Sequence, residues 1–350
     1  MRDDAPMKID IFNHFVPKVY FDRLAVLIPG HPVLSAFPKS KTLLDVDARR
    51  RLIDEFDGMQ HVLSLANPPL ELVGPPEATV ELARIANDAL ADLCVKHPDH
   101  VPAFVAALPM NNIDATLAEI DRAIAVLGAR GIQVFTNVAG KPLSRPEFRP
   151  IFARMAEHDL PVWVHPIRGP QFADYATEQL SEDEIWFSFG WPYETTACMT
   201  RLIYSGLFDE LPRLKIITHH MGGMIPYFSG KITLGFRQIF EGTPTRNPLA
   251  EERGLKRPPI DYFKMLYADT ALNGGKAATH CGHDFFGTAF CLFATDAPFD
   301  AEGGRGLIRN TIEAVAALDI DARERELIFS ANARALLKLP GAAKIKAGAA

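Results

Sequence analysis

Eight short β-rich segments alternate with longer amphipathic segments along this chain, and this alternation restricts its fold more than any other feature. Several of the short segments are continuously apolar, which is typical of parallel strands covered by helices. The candidate strands are Lys8–Phe12, His61–Leu65, Ala103–Ala107, Ile132–Phe135, Val162–His165, Lys215–Thr218, Met265–Ala268 and Cys291–Ala294. Eight strands alternating with helices predict an α/β protein built as a (β/α)8 TIM-like barrel. A doubly wound open sheet is the alternative, but no Gly-x-Gly-x-x-Gly follows a strand.

Helical periodicity is present between the candidate strands. Leu117, Ile120 and Ile124 recur at helical spacing before Gly128, and Asp114 is the predicted N-cap of this helix. Further helices are predicted over Pro150–His158, Glu194–Tyr204 and Leu307–Ala317.

The alternation continues close to the C-terminus, so we expect a single domain over residues 1–340, followed by a flexible Ala/Gly/Lys tail over residues 341–350. The longest interruption is Ile167–Trp191, an aromatic-rich insertion after strand five. Two interpretations of it are equally supported: a lid over the C-terminal mouth of the barrel, and a surface excursion or dimer contact. A second insertion, Gly242–Pro259, is rich in proline and charge and is predicted to be a plain loop.

Composition excludes several classes of function. The 37 basic and 43 acidic residues give a net charge of -6, which argues against a general nucleic-acid surface. The basic run Arg49–Arg51 opens a predicted helix and is expected to be a solvated face. We find no signal peptide and no stretch of about 20 consecutive apolar residues, so no membrane association is expected. The four cysteines lack Cys-x-x-Cys spacing and are interpreted as reduced thiols of a cytoplasmic protein.

Polar residues follow several of the candidate strands. They are His14, His165, His219 with His220, Asp269 and Asp296. Reactive groups of a (β/α)8 barrel lie at the C-terminal ends of its strands, which all meet at one mouth. We therefore predict that these side chains form one shared site.

The residue types in this set point to a catalytic metal ion. His14, His165 and Asp296 would supply three protein ligands, the usual number for catalytic zinc, and the same donors suit manganese or iron(II). A His-x-His at the end of the first strand would add a further ligand, but its first position is Phe12. Asn13 cannot replace it, because neighbouring strand residues point to opposite faces.

His220 is the predicted general acid/base, since an imidazole has a reference pKa near 6.5 and the glycines that follow let the backbone approach a ligand. His219 is predicted to be its structural neighbour, facing the barrel wall. Arg168 and Glu194 are the candidate substrate-binding residues. Arg168 would bind a substrate carboxylate or be a surface arginine, and Glu194 is expected near a helix N-terminus. Asp269 is expected to be either a partner of the site residues or an N-cap.

Three segments together resemble the amidohydrolase superfamily, in the branch of aminocarboxymuconate-semialdehyde and γ-resorcylate decarboxylases. They are IDIFNHFVP, LFATDAPF and, most specifically, WPYETTACMTRLIYSGLFDELPRLKIITHHMGGMIPY. The resemblance implies a distorted (β/α)8 barrel that binds one divalent ion, with Zn²⁺ preferred and Mn²⁺ as the alternative, and that forms a homodimer or homotetramer. It also implies that His14, His165 and Asp296 hold the ion, while His220 and Asp296 handle protons. Phe12 departs from the pattern, because a family member would have His or Glu there.

The leading hypothesis is a metal-dependent carboxy-lyase, a decarboxylase, acting on a small aromatic or unsaturated carboxylic acid. The alternative is a hydrolase of the lactonase or amidohydrolase type on the same barrel, metal-dependent or metal-free, in which His220 and Asp296 activate water. A third hypothesis is a degenerate barrel retained as a binding protein. The retained His165, His220 and Asp296 argue against this third one.

Overall fold

The structure is a computed structural model, and it describes residues 6–232 and 254–340. Within these residues, eight parallel strands alternate with helices along the chain. The strands are β1 (Lys8–Phe15), β2 (Met59–Leu65), β3 (Ala103–Phe104), β4 (Ile132–Phe135), β5 (Val162–His165), β6 (Ile216–Thr218), β7 (Tyr267–Asp269) and β8 (Cys291–Leu292). Each candidate strand of the sequence is confirmed, and β4 and β5 match residue for residue. A short antiparallel hairpin, Asn137–Val138 with Lys141–Pro142, follows β4.

The strands form two parallel ladders, β1–β2–β3 and β4–β5–β6–β7–β8, which backbone hydrogen bonds join at both seams. At one seam, the Gln133 amide donates to the Ala106 carbonyl at 2.9 Å. At the other, the Asp296 amide donates to the Phe12 carbonyl and the Ile11 amide to the Phe293 carbonyl, both at 3.0 Å. These bonds close the ladders into the predicted (β/α)8 barrel, so the open-sheet alternative is wrong.

Helices surround this barrel. They are α1 (Lys18–Leu27), α2 (Val33–Ala36), α3 (Lys41–Leu44), α4 (Val46–Asp54), α5 (Pro76–Lys96), α6 (Ile113–Ala125), α7 (Arg149–His158), α8 (Ile185–Ser188), α9 (Gly190–Tyr204), α10 (Leu207–Glu210), α11 (Pro259–Phe263), α12 (Lys276–Phe286), α13 (Arg305–Ala316), α14 (Ala322–Glu326) and α15 (Asn332–Leu336). The predicted helices are confirmed as α6, α7, α9 and α13. The N-cap of α6 is Asn112 and not the predicted Asp114, because the Asn112 side chain accepts the Ala115 amide. In the part of the chain that the structure describes, no helix is long and apolar enough to span a membrane.

The barrel interior is apolar and tightly filled. Ile11, Phe12, Val62 and Trp163 are each 1% exposed or less and belong to one buried cluster. The Trp163 indole crosses the interior and donates to the Ile11 carbonyl at 3.0 Å. This packing leaves the C-terminal mouth as the place where polar groups can meet a ligand.

A buried arginine fixes the end of β1. Arg49 of α4 is 1% exposed and donates to the His14 carbonyl at 2.5 Å, the Thr42 carbonyl at 2.8 Å and Asn13 Oδ1 at 3.2 Å. The expectation that this arginine lies on a solvated face is therefore wrong. Buried carbonyls at the strand end need donors, and the forked guanidinium satisfies several of them at once.

A buried carboxyl group ties β1 to the segment after β8. Thr295 donates to Asp10 through its hydroxyl at 2.5 Å and its amide at 3.1 Å, and the Phe12 amide donates to the same side chain at 3.2 Å. Burial raises the pKa of Asp10 to about 7 against these hydrogen bonds. The two segments that carry His14 and Asp296 are therefore held in fixed register.

Residues 167–191 lead from β5 into α9. They contain α8 and an aromatic cluster in which the Phe187 and Trp191 ring centroids are 4.8 Å apart. Trp191 also packs edge-on against the ring of His165 at 5.4 Å. The end of the insertion therefore lies against the barrel mouth. The predicted loop Gly242–Pro259 is described only from residue 254 on, and the predicted tail, residues 341–350, lies outside the described residues.

Candidate metal and active site

The structure brings His14, His165, His220 and Asp296 together at the C-terminal mouth. His14 Nε2 lies 2.9 Å from Asp296 Oδ1, and His220 Nε2 lies 3.7 Å from Asp296 Oδ2. The rings of His14 and His165 are 5.3 Å apart between centroids. Four side chains from four separate segments therefore surround one small volume. Their positions at the C-terminal ends of the strands predict this arrangement.

Asp296 is the central acceptor of this site. Its backbone is left-handed, with φ of 63°, which turns the carboxylate back toward the histidines. Burial opposes its ionisation, but interactions with the facing rings of His14, His219 and His220 outweigh burial and hold the pKa of Asp296 well below its usual range. It is therefore a carboxylate at neutral pH, the form that binds metal ions.

His165 is oriented as a ligand. Its Nδ1 lies 2.5 Å from the Pro166 carbonyl, to which it donates, so the lone pair is on Nε2. Burial and the neighbouring His14 and His219 lower the pKa of His165 well below its reference value. A neutral imidazole of fixed tautomer is the form that coordinates a metal ion.

Asn67 is a site residue that the sequence analysis missed. Its Nδ2 lies 3.4 Å from His165 Nε2. It follows β2 by two positions, so the rule that polar residues after strands meet at the mouth was a usable signal for it.

His219 does not face the barrel wall, so that expectation is wrong. The ring is 1% exposed, with Nδ1 at 2.5 Å from Asp269 Oδ2 and Nε2 at 3.8 Å from Asp296 Oδ1. Burial favours the neutral ring, but the charges of Asp269 and Asp296 outweigh it and raise the pKa of His219 to about 9. Asp269 is confirmed as a partner of the site: besides His219, it accepts the amides of His220 and Ala271.

His220 lies on the open side of the same carboxylate. Its backbone has φ of 52°, and the chain then turns sharply at Gly223, where a Cβ would lie 2.4 Å from the Pro192 carbonyl. Burial and the neighbouring His219 lower the pKa of His220. It is therefore a neutral ring at neutral pH, able to exchange a proton with a ligand. In the described residues, His219, His220 and Asp296 each bring one possible ligand atom within 4.8 Å of the others.

Phe12 lies inside the site and not beside it. The side chain is 1% exposed, and its ring centroid lies 4.9 Å from His14, 5.5 Å from His165 and 3.9 Å from His219. Asn13 points away and is held by Arg49, as strand alternation predicts. The Phe12 ring therefore faces the three imidazoles but has no lone pair that could bind a metal ion.

Arg168 and Glu194 form one ion pair beside the aromatic cluster. Arg168 donates to Glu194 Oε1 at 2.9 Å, and its guanidinium lies 5.0 Å from the centroid of Phe172. Its carbonyl accepts from the Trp191 indole at 3.1 Å, and Trp191 contacts His165. Glu194 lies in the second turn of α9, which begins at Gly190, so its expected place at the helix N-terminus is wrong.

Comparisons with known proteins agree on the type of protein. The sequence model of a family described as Amidohydrolase matches residues 66–339. The chain is 33% identical to the γ-resorcylate decarboxylase of Rhizobium sp. (strain MTP-10005) over 311 residues, which cover 86% of this chain and 89% of that protein.

Two solved structures share the fold. A 2,6-dihydroxybenzoate decarboxylase complexed with 2,6-dihydroxybenzoate aligns with a TM-score of 0.77 and 30% identity, over 96% of this chain and 100% of the other. A dihydroxybenzoic acid decarboxylase from Polaromonas sp. JS666, with bound manganese and the inhibitor 2-nitroresorcinol, aligns with a TM-score of 0.75 and 28% identity, over 95% of this chain and 97% of the other. With its closed (β/α)8 barrel and its histidine–aspartate mouth, this chain belongs to the amidohydrolase family.

Proposed function

We propose that this chain is a metal-dependent decarboxylase of small aromatic carboxylic acids. The observation that carries the proposal is the convergence of His14, His165, His220 and Asp296 at the barrel mouth. Similarity over nearly the whole chain to decarboxylases of dihydroxybenzoates supports this substrate class. Because the relatives named above are decarboxylases, we prefer the carboxy-lyase to the hydrolase.

The donor types at the mouth suit a divalent ion. His165 Nε2 carries a lone pair, Asp296 is ionised, and His14 Nε2 lies 2.9 Å from Asp296 Oδ1. We propose that these three residues hold the ion. Zn²⁺ is our first choice because imidazole and carboxylate ligands in threes are typical of catalytic zinc. The manganese in the Polaromonas structure supports Mn²⁺ as the alternative.

The ion would supply positive charge that orients the oxygens of an anionic substrate. The residues of the chain provide the proton chemistry. Decarboxylation replaces the carboxylate with a proton on the same ring carbon, and the electrons of the broken carbon–carbon bond stay on the ring while CO2 leaves. We propose that His220, a neutral ring at rest, takes up a proton from solvent and delivers it from Nε2, the atom that faces Asp296, to that carbon, which returns the ring to its neutral form. The Trp191 side chain covers His165 and keeps water from this face of the site.

We further propose that Arg168 and Glu194 line the substrate side of the mouth. Replacing Arg168 with Gln is expected to raise KM by about 10- to 100-fold with a smaller change in kcat, because a charge-assisted hydrogen bond to a carboxylate contributes about 1.5–3 kcal/mol. Steady-state kinetics measure this, with an Arg168→Gln/Glu194→Gln double variant that leaves no carboxylate unpaired. Arg145→Gln, which changes an arginine paired with Glu147 on the surface, is the matched control. An unchanged KM in both site variants would show that Arg168 does not bind substrate.

The reaction class is tested by product analysis. Purified protein is incubated with 2,6-dihydroxybenzoate, and the aromatic product and released CO2 are quantified together. We expect resorcinol and CO2 in equal amounts. Turnover of lactone or amide substrates in the same preparation, without CO2 from any aromatic acid offered, would favour the hydrolase instead.

A further inference from the structure

We propose that His219 is a ligand of the divalent ion, and that it supplies the imidazole which the first strand lacks at Phe12. The inference rests on the proposed function, because it requires that the mouth binds an ion. Phe12 and His219 are direct neighbours, with ring centroids 3.9 Å apart. The Phe12 ring offers only carbon atoms to the site, whereas the His219 ring offers a nitrogen.

The orientation of His219 is fixed by a carboxylate. Its Nδ1 lies 2.5 Å from Asp269 Oδ2, and both side chains are fully buried. This hydrogen bond holds a proton on Nδ1 and leaves Nε2 as the atom directed to the mouth, where a bound ion would replace the Nε2 proton of the metal-free ring. A carboxylate that orients a histidine in this way is the usual outer partner of a metal-binding imidazole.

The Nε2 atom has no hydrogen-bond partner among the described residues. It lies 3.8 Å from Asp296 Oδ1, which is too long for a hydrogen bond. Two ligand atoms on a tetrahedral ion, each about 2.0–2.2 Å away from it, lie roughly 3.3–3.6 Å apart. The observed separation is close to this value. A buried polar atom without a partner costs free energy, and an ion between His219 and Asp296 would remove that cost.

His220 is the competing candidate, and its surroundings differ. Its Nε2 is also near Asp296, at 3.7 Å, but no carboxylate orients its ring, and its Nδ1 has no partner in the described part of the chain. The ring is 16% exposed, whereas that of His219 is 1% exposed. The buried, carboxylate-oriented ring suits a ligand, and the more open ring suits exchange of a proton with substrate.

The test measures metal binding without turnover. Metal-free wild type, His219→Gln, Phe12→His and the Phe12→His/His219→Gln double variant are titrated with Zn²⁺ against a chromophoric chelator. We expect His219→Gln to weaken Zn²⁺ binding by at least about 10- to 100-fold, and Phe12→His to recover much of this loss in the double variant. X-ray absorption of the Zn²⁺ protein should show three imidazoles in the wild type and two in His219→Gln. His31→Gln, which changes an exposed histidine, is the control.

Folding is checked by thermal unfolding in the presence of chelator, because His219→Gln leaves Asp269 without its ring partner. If His219→Gln does not fold, Asp269→Asn tests the same orientation and is expected to weaken Zn²⁺ binding by about 10- to 100-fold. A His219→Gln protein that binds Zn²⁺ as tightly as the wild type, with an unchanged imidazole count, overturns the inference alone. A wild type that binds neither Zn²⁺ nor Mn²⁺ overturns the inference together with the proposed metal dependence.

Discussion

Replacing His220 with Gln is expected to lower kcat by about 10²- to 10⁴-fold, while the protein keeps its divalent ion. The Gln side chain places an amide near the position of Nε2 but cannot donate and regain a proton at neutral pH. The ring faces Asp296 at 3.7 Å from the open side of the mouth, where substrate would lie. The measurement is CO2 release from 2,6-dihydroxybenzoate, with the metal content of the same sample determined in parallel.

The control for this variant is His283→Gln, which changes a histidine whose Nε2 contacts Thr288 in the turn after α12. Its kcat should stay within about twofold of the wild type, as for most substitutions away from a site. If His220→Gln retains both its ion and more than about a fifth of the wild-type kcat, another group delivers the proton, since general acid catalysis contributes far more than this.

Replacing Asp296 with Asn has the second large expected effect, and here the ion and the activity are lost together. Asn keeps the volume of the side chain but removes the negative charge that faces His14, His219 and His220. A divalent ion would then be held without a neutralising ligand. We expect metal affinity to fall by at least about 100-fold, because ligand loss should exceed the 10- to 100-fold cost of losing an outer partner.

Chelator competition measures this loss, and thermal unfolding verifies the fold. Asp99→Asn changes an exposed aspartate and should bind the ion like the wild type. An Asp296→Asn protein with wild-type metal affinity would show that Asp296 is not a ligand. Full activity in the same variant would also show that Asp296 takes no part in proton transfer.

The barrel was predictable from the sequence because its strands are buried on both faces. Largely apolar segments mark such strands, and those of β4 and β5 begin directly after Gly131 and Pro161. The C-terminal ends of the strands meet at one mouth, so the positions of His14, His165 and Asp296 along the sequence predict that they lie close together.

His219 was misassigned because strand alternation does not continue past the strand. The strand β6 ends at Thr218, and His219 is still extended, with φ of -78° and ψ of 156°. The left-handed turn at His220 then brings the next ring to the same side, so the two ring centroids are 3.8 Å apart. The period-two rule would have placed these rings on opposite faces.

Arg49 was missed for a different reason. It stands in a run of three arginines, and nothing in that run distinguishes it from its neighbours. Its burial depends on distant groups that need donors, the His14 carbonyl at the end of β1 and the Thr42 carbonyl in α3. Such a long-range match between an arginine and a strand end has no local signature in the sequence.

The most direct test of metal-dependent decarboxylation at this mouth is a metal titration of CO2 release. Protein stripped with chelator is titrated with Zn²⁺ or Mn²⁺, and CO2 is followed from 2,6-dihydroxybenzoate labelled at the carboxylate. We predict negligible release from the stripped protein and a rise to a plateau at about one equivalent of ion per chain. Release at the full rate from protein that holds less than about 0.1 equivalent of metal would contradict this account.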